Sequence, residues 1–287
     1  MFMISQNEMR TYCIIGDPVS NSLSPAMHNA AFNTLNLNCA YIAFRVPKDE
    51  LEESILSLRA TKIAGFNVTI PHKVNIIRLI DELDDSAKKA KAVNTVTNVN
   101  GIFKGYNTDV YGFIQPLHRR KIRFNGMEIL LLGAGGAARA VVAALSSQEG
   151  ISKVILSNRN SSRAKELKQI ASDLGIQNCE TVEFDTIKNV ALKSDMIINT
   201  TPVGSNDEES IIDYEHIRKD SLVYDMVYKP VLTNLLEHAK YAGAQLVYGY
   251  EMLLEQGSKA FEIWTGKVPP VDSMKKALFG VFGPENL

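Results

Sequence analysis

The chain has 287 residues, of which 45% are hydrophobic and 22% are charged. This length and composition are typical of a globular protein with about two domains, each able to bury a core. The 31 basic and 32 acidic side chains give a formal net charge of -1. This nearly equal number of basic and acidic residues argues against nucleic acid or an anionic membrane as the main partner, because both bind to a basic surface.

The cysteines are few and far apart. Cys13, Cys39 and Cys179 form neither a disulfide framework nor a closely spaced metal-binding pair, and we expect no metal site. This usage is typical of a reducing compartment, so we expect the protein in the cytoplasm. The first residues lack a basic head followed by an apolar run, and glycines interrupt the most apolar window, residues 129–145. We therefore expect neither a signal peptide nor a transmembrane helix.

Strand-like and helix-like segments alternate over the first 110 residues. Short apolar runs predict strands, and apolar residues at positions i, i+4 and i+7 predict helices. Ser24 followed by Pro25 is typical of a helix start, and Asn100-Gly101 is the strongest two-residue hairpin signal. The predicted elements are strand 12–15, helix 26–35, strand 41–46, a helix around 51–58, strand 65–70, helix 74–83 and hairpin strands 95–99 and 102–106.

From residue 128 the pattern changes to short, continuously apolar strands, which are typical of a buried parallel sheet. Strands are predicted at 128–132, 154–157, 196–200 and 222–226, with helices from about 136 to 147, at 162–174, at 252–264 and at 271–279. The alternation of strands and helices predicts an α/β fold. We expect a first lobe, a dinucleotide-binding domain between boundaries near Val110 and Tyr248, and a helical tail that packs back on the first lobe.

A glycine-rich turn follows the first of these buried strands. Its sequence, Gly133-Ala134-Gly135-Gly136-Ala137-Ala138, fits the G-x-G-x-x-A pattern of dinucleotide-binding turns. Gly133 permits a tight turn, Gly135 lets the backbone approach a pyrophosphate, and Ala138 allows close helix–strand contact. The amides of the following helix would then bind phosphates. The alternative is a tight turn that binds no ligand.

The end of the next strand indicates which nucleotide would bind. NAD sites usually carry an acidic residue there, whereas residues 157–163 contain Asn158, Arg159 and Arg163 and no acid. Two arginines can hold a 2′-phosphate through charge-assisted hydrogen bonds. The sequence therefore favours NADP over NAD, although Arg163 could also be a solvated residue on the first turn of a helix.

Three polar segments stand out in the first lobe: residues 21–25, residues 67–73 and residues 107–109. Each segment also has a purely structural explanation. Ser24 could be a helix cap with no other role, Lys73 could be a surface lysine, and Asn107-Thr108-Asp109 could be a capping turn. Together with the glycine turn, however, they resemble the shikimate dehydrogenases over residues 12–279. The matching segments, in that family's order, are Ser22-Leu23-Ser24-Pro25, Asn67-Val68-Thr69-Ile70-Pro71-His72-Lys73, Ala92-Val93-Asn94-Thr95, Asn107-Thr108-Asp109, 133–137, Asn158-Arg159 with Arg163, Asp225-Met226-Val227-Tyr228 and 252–256.

The resemblance implies a fold, an activity and a set of site residues. The fold would be α/β with two lobes, an N-terminal α/β substrate-binding lobe (1–109, joined by helices 249–287) and a Rossmann-like NADP-binding domain (110–248). The activity would be the reversible NADPH-dependent reduction of 3-dehydroshikimate to shikimate, in the biosynthesis of aromatic amino acids. By resemblance, the catalytic pair is Lys73 and Asp109; the substrate-binding residues are Ser22, Ser24, Asn67, Thr69, Asn94, Tyr228 and Gln256; and the cofactor-binding residues are Gly133, Ala134, Gly135, Gly136, Ala137, Asn158, Arg159, Arg163, Asp85, Met226 and Gly249.

Elementary chemistry agrees with these roles. Reduction of a ring ketone needs a proton donor at the developing alkoxide, which a lysine ammonium can provide. A hydroxylated ring needs short polar side chains, because each unpaired buried hydroxyl costs about 1–3 kcal/mol.

Two alternative functions remain open at this stage: a quinate/shikimate dehydrogenase that uses NAD, and a non-catalytic nucleotide or metabolite sensor. Tyr250 and Glu251 are bulkier than the residues the family often has, which leaves the local cofactor contact open, and His72 could touch the substrate or be a bystander. We expect a small-molecule substrate, no nucleic-acid or membrane partner, and a monomer or homodimer.

Overall fold

The computed structural model describes residues 9–205 and 210–282, and the chain divides into two compact units. Among the described residues, the first unit comprises 9–108 and 256–281, and the second comprises 109–205, 210–255 and residue 282. The second unit ends at Glu255, seven residues after the predicted domain end at Tyr248, because residues 249–255 group with the second unit. The ends of the predicted first domain, residues 1–8 and 283–287, lie outside the described residues.

The first unit is built on a mixed six-stranded sheet. Its elements before the division are β1 (Arg10–Gly16), α1 (Ser24–Thr34), β2 (Cys39–Arg45), α2 (Leu51–Ala60), β3 (Gly65–Val68), β4 (Glu82–Leu83), α3 (Asp85–Ala90), β5 (Thr95–Val99) and β6 (Ile102–Tyr106). The strand order is β2-β1-β3-β5-β6-β4. β1 is parallel to β2 and β3, whereas β5 is antiparallel to both β3 and β6.

Two local predictions for the first unit are wrong. Residues 74–83 do not form one helix: a 3-10 helix covers Asn75–Leu79, and β4 then pairs with β6. Asp81 turns the chain into that pairing, because its carboxylate accepts a hydrogen bond from Phe103 N at 2.6 Å. Pairing with a distant strand thus overrides the local helical spacing.

The start of α1 also differs from the expectation. Ser24 is the first helical residue, and Leu23 occupies the N-cap position without a side-chain hydrogen bond. Ser24 N instead donates to Ser22 Oγ at 3.3 Å. The hydroxyl of Ser22, not that of Ser24, therefore satisfies an amide at this helix start.

The second unit is a parallel sheet with helices between its strands. The remaining elements are α4 (Thr108–Arg119), β7 (Glu128–Leu132), α5 (Gly136–Leu145), β8 (Lys153–Ser157), α6 (Ser161–Asp173), β9 (Cys179–Thr181), α7 (Ile187–Ala191), β10 (Met196–Asn199), β11 (Leu222–Asp225), α8 (Asn234–Ala242), β12 (Gln245–Val247), α9 (Gly249–Thr265) and α10 (Val271–Phe282). The strand order is β12-β11-β10-β7-β8-β9, and every pair is parallel. This is the doubly wound order of dinucleotide-binding domains, with its switch point between β7 and β10.

The core of the second unit lies on both faces of this sheet. Ile129 and Leu131 of β7 belong to one buried cluster, and Leu130 and Leu132 belong to another. Because successive side chains of a strand point to opposite faces, the continuous apolar run fills both layers at once. Within the described part of the chain, no helix is both long and apolar enough to cross a bilayer.

The second half of α9, from Gln256 onward, belongs to the first unit. Trp264 Nε1 donates to Val96 O of β5 at 2.9 Å, and the ring centroid of Trp264 lies 5.0 Å from that of Tyr12 on β1. Phe261 contacts Phe32 of α1, with ring centroids 5.5 Å apart. Aromatic side chains of α9 therefore pack against this face of the sheet.

Replacing Gly65 should break this contact. A β-carbon built on Gly65 would lie 2.5 Å from Trp264 Nε1 and 2.7 Å from Val96 O, the two partners of one hydrogen bond. We expect Gly65→Ala to lower the free energy of unfolding by about 2 kcal/mol or more. Urea unfolding followed by the fluorescence of Trp264, the only tryptophan, measures this directly.

Gly280→Ala is the matched control, since nothing lies within 4 Å of a β-carbon there and the site is helical. It should leave stability unchanged or raise it by up to about 1 kcal/mol. Equal stabilities of the two variants would contradict the packing described.

Candidate active site

A buried amide on β3 is held by three protein partners. Asn67 Oδ1 accepts a hydrogen bond from the hydroxyl of Tyr41 at 2.6 Å. Its Nδ2 donates to Asn94 O at 3.1 Å and to Thr95 Oγ1 at 2.9 Å. Because donors and acceptors occupy opposite ends of an amide, these bonds fix which way the Asn67 side chain faces.

Asn94, which is only 2% exposed, is the centre of the same network. Its Oδ1 accepts from Thr108 N at 2.7 Å and from Thr95 Oγ1 at 3.0 Å. Its Nδ2 donates to Thr108 Oγ1 at 2.9 Å and, at 3.4 Å, to Gln256 Oε1. Three predicted substrate-binding residues, Asn67, Asn94 and Gln256, thus belong to one hydrogen-bonded cluster.

The serines at the start of α1 approach this cluster through Tyr41. Ser24 is buried and hydrogen-bonds to the hydroxyl of Tyr41, while Ser22 is half-buried. Burial raises the pKa of Tyr41 well above its usual value, so its hydroxyl keeps its proton and can donate to Asn67. Tyr41 and Thr95 are not among the predicted site residues. No short motif contains Tyr41, whereas Thr95 directly follows Asn94 in a matched segment, which was the available signal.

The loop after β3 carries Thr69 and Lys73, both half-buried. Lys73 O accepts from Val93 N at 2.7 Å, so the loop is fixed to the residue that precedes Asn94. His72 is buried between them, and its Nε2 donates to Val46 O at 2.7 Å. This bond supports the interpretation of His72 as a bystander that anchors the loop.

Asp109 follows Thr108 at the start of α4 and is buried; it belongs to the second unit, as does the half-buried Tyr228. Asp85, on the first turn of α3 in the first unit, is exposed and pairs with Lys88 at 3.3 Å. The roles of these residues in binding or catalysis stay predictions.

In the second unit the glycine turn lies at the switch point of the sheet. Gly133 has φ +107°, and a β-carbon on it would lie 2.3 Å from Thr200 Oγ1, at the end of β10. α5 begins at Gly136, and no side chain caps it. The first-turn amides of α5 are thus suited to bind phosphate oxygens.

The residues after β8 are arranged around an Asn cap. Asn160 accepts from Arg163 N at 3.2 Å and so begins α6, and Asn158 Nδ2 donates to Asn160 O at 2.9 Å. Arg159 and Arg163 are both exposed. Two exposed guanidinium groups with no acid between 157 and 163 fit a 2′-phosphate.

The loop after β11 meets the start of α9 with no room for a side chain. A β-carbon on Gly249 would lie 2.3 Å from Val227 O and 2.7 Å from Met226 O. Only glycine therefore allows this close approach of two backbones. Met226 and Gly249, both predicted to bind the cofactor, are thus neighbours in the second unit.

Asp225 is a buried acid in this loop that the prediction of site residues omitted. It accepts hydrogen bonds from Asn199 Nδ2 at 2.9 Å, Val227 N at 3.0 Å and Thr233 Oγ1 at 2.6 Å. Burial raises the pKa of Asp225 to about 6, and the three donors oppose that rise. The motif Asp225-Met226-Val227-Tyr228 was the available signal, and the structure shows Asp225 holding the loop rather than facing outward.

Comparisons with known proteins agree over most of the chain. Family models match residues 14–96 (shikimate dehydrogenase substrate binding domain), 117–223 (shikimate / quinate 5-dehydrogenase) and 249–279 (shikimate 5'-dehydrogenase C-terminal domain). A shikimate dehydrogenase (NADP(+)) of Nitrosopumilus maritimus is 45% identical over 273 residues, covering 95% of this chain and 99% of the relative. The chain belongs to the shikimate dehydrogenase family.

Solved structures of shikimate dehydrogenases have the same fold. One in complex with NADP+ matches with a TM-score of 0.86 and 37% identity, covering 96% of each chain. The enzyme from Thermus thermophilus in complex with NADP(H) and shikimate matches with a TM-score of 0.83 and 34% identity, covering 94% of this chain and 98% of that one. The predicted family and α/β fold class are therefore confirmed.

The raised pKa of Asp225 predicts that the stability of the protein depends on pH. A carboxyl with a pKa of about 6 when folded and about 3.9 when unfolded binds more protons in the folded state. Its ionisation therefore costs stability as the pH rises from about 4 to about 6, by up to about 3 kcal/mol in total.

Asp225→Asn removes this titrating group. The free energy of unfolding of the variant, measured relative to wild type, should thus rise between pH 4 and pH 6. Urea unfolding of both proteins at a series of pH values gives this difference. A difference that is constant over the range would contradict the assigned environment of Asp225.

Proposed function

We propose that the protein catalyses the reversible NADPH-dependent reduction of 3-dehydroshikimate to shikimate, a step of aromatic amino acid biosynthesis. The observation that carries the proposal is the buried cluster of Asn67, Asn94 and Gln256 beside the loop of Lys73, in a chain of the shikimate dehydrogenase family. The relatives named as NADP(+) enzymes confirm the predicted family activity and cofactor.

The first unit supplies the groups for a polyhydroxylated acid. Ser22 and Ser24, at the start of α1, would donate to the substrate carboxylate, as the family resemblance implies. Thr69 and the amides of Asn94 and Gln256 would bind the ring hydroxyls, which need partners when buried. Tyr228 is a further proposed substrate contact from the second unit.

The second unit fits NADP at both ends. The uncapped α5 and the turn of Gly133 suit the pyrophosphate, and Arg159 and Arg163 suit the 2′-phosphate. NADPH, when bound, supplies the hydride for the ketone carbon. We propose Asn158, Asp85, Met226 and Gly249 as the remaining cofactor contacts.

Lys73 would transfer the proton in the reaction, and Asp109 would orient Lys73. As the ketone is reduced, its oxygen gains negative charge, which the ammonium of Lys73 stabilises electrostatically. The same ammonium then donates a proton to give the hydroxyl of shikimate. The carboxylate of Asp109 orients the ammonium and accepts a hydrogen bond from a substrate hydroxyl. In the reverse direction, neutral Lys73 accepts that proton.

The NAD-dependent quinate alternative is not favoured, because the residues after β8 offer arginines and no acid to the ribose.

Within residues 9–205 and 210–282, no cluster of His, Cys, Asp or Glu is arranged to hold a metal ion. A cytoplasmic location, consistent with three free cysteines, and a monomeric or homodimeric state stay predictions.

A steady-state assay of shikimate and quinate, each with NADP+ and with NAD+, tests the function. We expect the highest kcat/KM for shikimate with NADP+, followed as a rise in NADPH absorbance. No turnover of shikimate with either cofactor would overturn the proposal and favour a sensor.

Lys73→Met tests the assigned proton donor. It should lower kcat by about 10²–10⁴-fold with little change in the KM for shikimate, because the interaction is made mainly in the transition state. Lys48→Met removes the same charge from an exposed position of the same unit and should leave kcat unchanged. Normal turnover by Lys73→Met would remove Lys73 from the mechanism.

A further inference from the structure

Arg120, the residue after α4, ties together three segments of the second unit. Its guanidinium forms a two-pronged ion pair with Glu251, with nitrogen–oxygen distances of 2.7 and 2.8 Å. It also donates to Pro116 O at 3.1 Å and, more weakly, to Leu246 O at 3.5 Å. The end of α4, the strand β12 and the first turn of α9 thus share one cation.

This ion pair is more protected than an ordinary surface pair. The side chain of Glu251 is 11% exposed and that of Arg120 is 31% exposed. A planar guanidinium bound to both carboxylate oxygens has a defined orientation, unlike a flexible lysine pair. The pair can therefore hold a backbone segment in one position.

Glu251 also closes the turn that leads into α9. Its Oε1 accepts from Tyr248 N at 3.2 Å, and its own backbone N donates to Tyr248 O at 3.0 Å. Tyr248 directly precedes Gly249, whose backbone lies against Val227 O and Met226 O with no room for a β-carbon. A small displacement of this turn would open or close that contact.

A second ion pair follows one helical turn later, between Arg119 and Glu255. It ties α9 to α4 but makes no bond to the turn of residues 246–249. The contact with the turn is specific to Arg120 and Glu251. These two residues act on the loop that carries Met226. The family resemblance implies that Met226 and Gly249 lie beside the nicotinamide of the cofactor.

We propose that the Arg120–Glu251 ion pair is a positioning device for the nicotinamide end of the NADP site. It holds the Tyr248–Gly249 turn against Met226 and Val227, and so sets the affinity for the nicotinamide half of the cofactor. The inference rests on the proposed function in taking NADP as the ligand and Met226 and Gly249 as its contacts at the nicotinamide end.

Fluorescence titration with NADPH, on the full-length protein, tests the proposal. Glu251→Gln keeps an oxygen for Tyr248 N but loses the charge, and should weaken NADPH binding about tenfold. The affinity for adenosine 2′,5′-bisphosphate, which lacks the nicotinamide, should change less than twofold, as should the KM for shikimate. Arg120→Gln, which removes the other charge of the pair, should weaken NADPH binding to a similar extent.

Lys188→Gln breaks an exposed ion pair with Asp213 in the same unit and should leave every constant unchanged. Wild-type NADPH affinity in Glu251→Gln, or an equal loss for NADPH and the bisphosphate, would overturn the positioning role. Either result, with normal wild-type turnover of shikimate, leaves the proposed function intact. A wild-type protein that binds no NADPH would overturn both proposals.

Discussion

The amide of Asn94 is the interaction on which the candidate substrate site depends. It is buried in the first unit, and a buried amide without partners is costly, so each of its ends must be bonded. Thr108 and Thr95 bond to its oxygen, which leaves its nitrogen facing Thr108 Oγ1 and Gln256. These bonds thus fix the orientation of the Asn94 amide. In the same way, the hydroxyl of Tyr41 fixes the orientation of the Asn67 amide, which also bonds to Asn94 O. A site assembled in this way is oriented by its own hydrogen bonds.

The second unit uses a different constraint, close approaches that leave no room for a side chain. Gly133 lies against Thr200, and Gly249 lies against Met226 and Val227, at distances that exclude a β-carbon. Polar side chains nearby stabilise the contact at Gly249. Asp225 accepts three hydrogen bonds at the start of the loop, and Arg120 forms an ion pair with Glu251. Glycine allows the neighbouring segments to lie this close, and polar groups stabilise the arrangement.

Family, fold class and cofactor preference were predictable because they reside in short segments whose physical meaning is local: a glycine turn, an arginine pair after a strand, and polar strand ends. Other features depend on residues far apart in the chain. Tyr41 meets Asn67 across 26 positions and Arg120 meets Glu251 across 131, so no local pattern reveals either pair. The wrong helix at 74–83 has the same origin, since β4 exists only by pairing with β6. The roles of the individual site residues stay predictions.

If the buried hydrogen bonds of the first unit set the affinity for the substrate, removing the hydroxyl of Tyr41 should weaken substrate binding. Calorimetric titration of Tyr41→Phe with shikimate should show binding about tenfold weaker than wild type, because the side chain of Asn67, a proposed substrate contact, is then no longer held in one orientation. NADPH affinity should be unchanged, and Tyr241→Phe, at a position 78% exposed, should behave as wild type. Wild-type affinity for shikimate in Tyr41→Phe would contradict the account.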